Sequence, residues 1–168
     1  MEVLLMLGWI FVGLLWLSAL LIVWFKAPPV PSFRRAVEEG LTAANVKPAE
    51  LVMDLGAGDG RVLQIARDSY QAKIVGWELH PLMWCLAKAR LGRRADVRLA
   101  NFWQAPVEQA DVVFTFLMPS LMGRVEREIW GKMKPGARLV SNSFPLPSQP
   151  PVAQRGSVYI YVRPGSII

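Results

Sequence analysis

The sequence contains a single cysteine, Cys85, and a single histidine, His80. One thiol excludes an intramolecular disulfide, and with one imidazole beside it no structural zinc site of the thiolate or histidine kind can be assembled. A nucleophile activated through a histidine relay is disfavoured for the same reason. No internal repeat and no low-complexity tract is present, and 168 residues suffice for one compact domain rather than two. Acidic residues are in deficit, with 19 Lys and Arg against 13 Asp and Glu and a formal charge of +6. Setting Glu2 aside leaves 19 against 12, or +7, for the rest of the chain. These positives are scattered, and "RLGRR" at 90–94 is the one cluster. The pattern favours a basic face beside an anionic membrane over a nucleic-acid site.

Charge is missing altogether from "VLLMLGWIFVGLLWLSALLIVWF", residues 3–25. A helix of that length extends about 34 Å at 1.5 Å per residue, against a hydrocarbon core of about 30 Å. The run follows Glu2 rather than a basic start and exceeds the apolar stretch of a cleaved signal, so an uncleaved anchor is expected. Trp24 stands where an interfacial aromatic belongs, and Lys26, Arg34 and Arg35 follow. The positive-inside rule then puts the remainder on the cytoplasmic side, or on the mitochondrial matrix side. "APPVPS" cannot continue a helix and reads as a short extended spacer of about 20 Å. The expected organisation is a transmembrane anchor at 1–26, a Pro-rich linker at 27–32 and a globular domain at 33–168.

Within that domain, Ser32 can cap a helix running to about Asn45. "ELVMDLG" at 50–56 has the short apolar character of a buried parallel strand. "RVLQIARDSY" has helical spacing, and "AKIVGWE" at 72–78 reads as the second strand. In "PLMWCLAKARL", Pro81 starts a helix whose stripe is Leu82, Cys85, Leu86 and Ala89. Strands are expected at 96–100, 111–118, 137–144 and 157–162, with a helix at 119–130. Such alternation predicts an α/β fold with a doubly wound, mostly parallel, Rossmann-like sheet and right-handed crossovers, preceded by one transmembrane helix.

The first strand runs straight into Gly56, Gly58 and Gly60. Without Cβ atoms the chain can turn sharply there and approach a ligand, and the amides opening the next helix can receive a carboxylate or phosphate. A dinucleotide loop has the spacing G-x-G-x-x-G, whereas this one is G-x-G-x-G with Asp54 ahead of it and Asp59 inside it. Two carboxylates repel a pyrophosphate and suit a ligand that is cationic at this point, such as the sulfonium and ammonium of S-adenosylmethionine. Glu78, twenty residues past Gly58, ends the second strand where a carboxylate can accept from both ribose hydroxyls. Asn101 follows the third strand as an adenine-edge partner or a turn former. Phe102 can flank the adenine or pack in the core, and Trp103 reads as core.

These stretches resemble class I S-adenosylmethionine-dependent methyltransferases. More narrowly, "PPVPS", "DLGAGDGRV", "GWELHPLMWCLAKAR", "NFWQ", "FLMPSLM" and "ARLVSNSFPLP" are similar to the membrane-anchored protein lysine methyltransferases of adenine nucleotide translocase and ATP synthase subunit c. The resemblance implies cofactor contacts at Asp54, Gly56, Gly58, Asp59, Glu78 and Asn101, to which the residues themselves add Gly60 from the loop and Phe102 beside Asn101. It also implies a substrate-facing edge near Pro119 and Phe144, and a lysine of a membrane-associated protein as acceptor. The chain departs from the family pattern with Asn101 for aspartate, His80 for asparagine and no lysine near Gln104.

For a lysine acceptor, losing the proton at pH 7 costs roughly 4.6 kcal/mol from an ordinary pKa near 10.4, a penalty that an apolar slot reduces. No general base stands out, so no catalytic residue is assigned. "FLMP" at 116–119 lacks the Asn or Asp, Pro-Pro and aromatic of nucleic-acid amino-methyltransferases. Competing expectations are methylation of a lipid or small hydrophobic molecule, and a non-catalytic membrane assembly factor that keeps the fold.

Overall fold

The computed structural model describes residues 2, 5–10, 12–13, 34–92 and 95–165, in two units, Met1–Val30 and Pro31–Ile168. In the first unit residues 5–10, 12 and 13 are helical. Most of the expected membrane span, the linker at 27–32 and Ser32 lie outside the described residues. Among those described, no helix is long and apolar enough to cross a membrane.

The second unit is built on seven strands: β1 (Leu51–Leu55), β2 (Lys73–Glu78), β3 (Asp96–Leu99), β4 (Val112–Thr115), β5 (Arg138–Asn142), β6 (Ala153–Arg155) and β7 (Val158–Val162). They lie in the order β3-β2-β1-β4-β5-β7-β6. The first five are parallel, and β7 runs antiparallel to both β5 and β6. Among the described residues four α-helices accompany them: α1 (Arg34–Ala43), α2 (Arg61–Tyr70), α3 (Pro81–Leu91) and α4 (Pro119–Glu128). This is the expected Rossmann-like arrangement, a mostly parallel sheet with helices on both faces.

Strict alternation sorts each strand between two cores. Val52, Val112, Phe114 and Val140 face Val37 and Leu41 of α1 and Val62 and Ile65 of α2. Met53, Leu55, Val113 and Leu139 face Met122 and Val125 of α4, together with Trp130 and Tyr161. Buried on both sides, these strands read as continuous apolar runs rather than alternating ones. Each fully buried Val or Leu contributes about 1.5–3 kcal/mol relative to exposure. Helix α1 stops at Ala43, and Asn45 behind it takes the left-handed conformation, φ 51°, that ends helices.

Three elements differ from expectation. β4 ends at Thr115 rather than 118, because Met118 is extended ahead of Pro119 and that proline opens α4. β6 carries the short polar segment "AQR", which has no apolar pattern to betray it. The stripe assigned to α3 faces outward. Leu82 and Leu86 are 59% and 44% exposed, and Cys85 and Ala89 are exposed, whereas Ala87 and Leu91 pack against Ala57, Leu63 and Val97. Because α3 is apolar on two opposite sides, helical spacing alone could not say which side faces the sheet.

Candidate active site

Four polar side chains are buried among the described residues: Asp54, Thr115, Ser141 and Asn142. All four lie at the carboxyl ends of the adjacent strands β1, β4 and β5. Leu55 pairs with Thr115, and Thr115 with Ser141, in one row across the sheet. Between β1 and β4 the strand order reverses, and outside the carboxyl ends at such a point α/β sheets bind ligands. Ser141 Oγ donates to Phe144 O at 2.6 Å, and Asn142 Oδ1 lies 3.3 Å from Ser157 Oγ. Thr115 Oγ1 is buried without a hydrogen-bond partner.

The loop from β1 to α2 follows from its glycines. Gly56, Gly58 and Gly60 have φ of 89°, 55° and 79°, values that L side chains rarely adopt. Gly56 and Ala57 both donate to Trp77 O, at 2.9 and 2.8 Å, tying the loop to the end of β2. A Cβ on Gly60 would lie 3.1 Å from the backbone of Ala87, so this glycine serves the close packing of the loop against α3.

Glu78 links these pieces. Its Oε2 accepts from Gly58 N and its Oε1 from His80 N, both at 2.7 Å. One carboxylate thus holds the middle of the glycine loop and the residue that caps α3. A carboxylate has about four acceptor positions, and two amides leave one on each oxygen for a diol.

Asp54 lies beneath the loop and is 3% exposed. Burial first, then the neighbouring charges of Glu78 and Asp59, push its carboxyl well above the ordinary range. A desolvated acid beside two further acids is an electrostatic fit for a ligand bearing positive charge. Asp59 is less available than its sequence position suggested. Its Oδ2 receives Arg90 at 2.7 Å and Arg61 at 3.2 Å, and its carbonyl receives Arg90 Nε at 2.8 Å. These contacts pin the loop to α2 and α3.

The remaining expected residues sit around the same end of the sheet. Asn101 caps the short 3₁₀ turn Phe102–Gln104 by accepting from Trp103 N at 3.2 Å, the turn-forming alternative seen in the sequence. Phe102 and Trp103 are half-buried against the core on the α4 side, their ring centroids 4.6 Å apart, and the Arg124 guanidinium lies 4.0 Å over Trp103. Pro119 is exposed at the start of α4, and Phe144 is half-buried after β5. Thr115, Ser141 and Asn142 escaped the sequence reading. Their one signal is a polar residue closing each of the apolar runs "VVFT" and "RLVSN".

This sheet order, with an antiparallel β7, a glycine loop after β1 and an acid ending β2, defines a class I S-adenosylmethionine-dependent methyltransferase domain. An RNA methyltransferase from Salinibacter ruber, solved with S-adenosyl-L-homocysteine, superimposes with a TM-score of 0.77 and 26% identity, covering 83% of this chain and 97% of that one. Residues 54–153 match the model of the ANTKMT methyltransferase domain, and the chain belongs to that family. The adenine nucleotide translocase lysine N-methyltransferase of Mus musculus is 34% identical over 78% of this chain, which spans 59% of that relative's length. A protein-lysine N-methyltransferase of Saccharolobus islandicus (strain REY15A) is 31% identical over 71% of this chain and 78% of its own.

Proposed function

We propose that the chain is a membrane-tethered S-adenosylmethionine-dependent methyltransferase whose acceptor is a lysine of a membrane-associated protein. The observation carrying it is the Glu78 carboxylate, held by Gly58 and His80 amides with acceptor capacity to spare, above the buried acid Asp54. Both curated relatives named above carry lysine N-methyltransferase in their names, which supports the acceptor class.

Once bound, S-adenosylmethionine supplies an electrophilic methyl group on a positively charged sulfur. Glu78 is positioned to grip the ribose hydroxyls, and Asp54 to counter positive charge near the methionine portion. Asn101, with Oδ1 capping its own turn, has a side-chain amide suited to the adenine edge, with Phe102 beside it. The loop amides of Gly56 and Ala57 are taken by Trp77, so Gly56 contributes a bare backbone rather than donors. Pro119 and Phe144 form the substrate edge in this reading. Half-buried Phe116, Leu117 and Met118 lead into Pro119 and supply the apolar environment that favours a neutral amine. Proximity and alignment at about 3–3.5 Å then meet most of the demand of an in-line displacement, and no general base is required.

The tether in this proposal is the charge-free run at 3–25, with the linker at 27–32 and the catalytic domain at 33–168 on the cytoplasmic or matrix side. Confinement to one bilayer raises the effective concentration of acceptors in that bilayer.

The test supplies methyl-tritiated S-adenosylmethionine to membranes containing the full chain or its Glu78→Gln variant. Counts are then measured in hydrolysed protein, lipid extract and RNA. Label in methyllysine that depends on Glu78 is the expected result. Label confined to lipid or RNA would replace the acceptor class. No label in any fraction, with cofactor still bound, would leave a non-catalytic assembly factor.

A further inference from the structure

Helix α3 differs from its neighbours in what it shows to solvent. α1 presents Arg34, Arg35, Glu38 and Glu39 in i,i+4 pairs, and α4 presents Arg124 and Glu128 likewise. α3 instead presents Leu82, Cys85, Leu86 and Ala89, preceded by Leu79 at 48% exposure. A helix with apolar residues on two opposite sides can satisfy only one of them against its own sheet. Here the inner side, Ala87 and Leu91, is already satisfied by the sheet. The outer side therefore needs a cover of its own.

The charge around this stripe indicates what the cover is. From Leu79 to Ala95 the sequence has no acidic residue and four basic ones, Lys88, Arg90, Arg93 and Arg94. The Lys88 ammonium donates to Ala95 O at 2.6 Å and Arg90 reaches Asp59, so both stems are fixed at the carboxyl end of the stripe. Burial of an exposed apolar face and attraction of nearby cations to anionic headgroups add in binding to a bilayer surface. A second copy of α3 would offer these cations no acidic partner, because the segment 79–95 carries none.

We propose that the outer face of α3 seats on an anionic lipid surface. The inference rests on the membrane reading given under Proposed function and adds an orientation to it. Through Glu78, which holds the His80 amide ahead of α3, the seat sets the cofactor end of the sheet beside the bilayer. A lysine near the membrane surface then meets the crevice without the domain having to turn.

Cys85, the only thiol, reports on this directly because it stands within the stripe and is exposed. The full chain is labelled there with an environment-sensitive fluorophore and reconstituted into phosphatidylcholine vesicles with or without phosphatidylglycerol. Quenching by iodide, with vesicle flotation measured in parallel, gives the readout. In anionic vesicles quenching is expected to fall several-fold. The Leu82→Gln/Leu86→Gln variant, changed at exposed positions, is expected to restore it while still floating. A chain that floats with its label fully quenched overturns the seat and leaves the tether. A chain that does not float overturns both. Protection that rises with protein concentration in the absence of anionic lipid assigns the face to a second copy and overturns the seat.

Discussion

Replacing Glu78 by glutamine separates two roles that one carboxylate now performs. In the wild type both oxygens accept 2.7 Å hydrogen bonds, from Gly58 N and His80 N. A glutamine can keep one of these, and its NH₂ then opposes the other amide, donor against donor. An amide left without an acceptor costs about 1–3 kcal/mol, which for a domain of this size lowers Tm by roughly 3–10 °C. The ligand loses as well. Hydrogen bonds to a charged acceptor contribute about 1.5–3 kcal/mol each. One hydroxyl loses its acceptor and the other keeps only a neutral one, which predicts a loss of about 1.5–3 kcal/mol, some 10- to 150-fold in Kd. Calorimetric titration of S-adenosylhomocysteine into wild type and variant, with thermal melts alongside, measures both quantities. A variant that melts lower yet binds with unchanged Kd would refute the reasoning, since the carboxylate would then serve the loop alone.

Asp54→Asn is expected to act in opposite directions on stability and binding. The folded pKa of Asp54 is raised, so the native state holds its proton more tightly than the unfolded chain. Its ionisation therefore erodes stability as pH rises from the ordinary carboxylate value of 3.8 through the raised folded value. Asparagine removes that slope, making the variant the more stable protein at neutral pH and no more stable in acid, as denaturation across a pH series will show. Affinity for S-adenosylmethionine is expected to fall by about 1.5–3 kcal/mol, some 10- to 150-fold, with the lost charge. Gly60→Ala places a Cβ 3.1 Å from the Ala87 backbone at a φ of 79°. Left-handed strain and overpacking together predict about 2–5 kcal/mol of destabilisation by urea titration. Tyr161→Phe removes the acceptor of the buried Leu146 amide, 2.9 Å away. A stability loss of about 1–3 kcal/mol with unchanged cofactor affinity is expected.

Much of this arrangement was legible in the sequence because it depends on local spacing. Strand, glycines and helix follow one another without interruption from Leu51 to Tyr70, and Glu78 ends the next strand, so the loop and its acid could be read together. What escaped depends on contacts distant in the chain. Arg90 neutralises Asp59 from 31 positions away, which no local pattern announces. The stripe Leu82, Cys85, Leu86 and Ala89 of α3 can be read from spacing, but not the side it faces, because two opposite sides are apolar and periodicity carries no direction. Thr115, Ser141 and Asn142 became notable only when parallel pairing aligned the ends of β4 and β5 beside β1. Asn101 stands between two readings in the sequence, and the structure shows its turn-capping geometry.

The central claim is that Glu78 and the glycine loop receive the adenosine of S-adenosylmethionine at the carboxyl end of β1. A crystal structure of the full chain with S-adenosylhomocysteine tests it most directly. The account predicts both ribose hydroxyls within hydrogen-bond distance of the Glu78 oxygens, with the sulfur lying between the loop and residues 116–119. A nucleoside bound elsewhere, or one whose ribose makes no contact with Glu78, would contradict it.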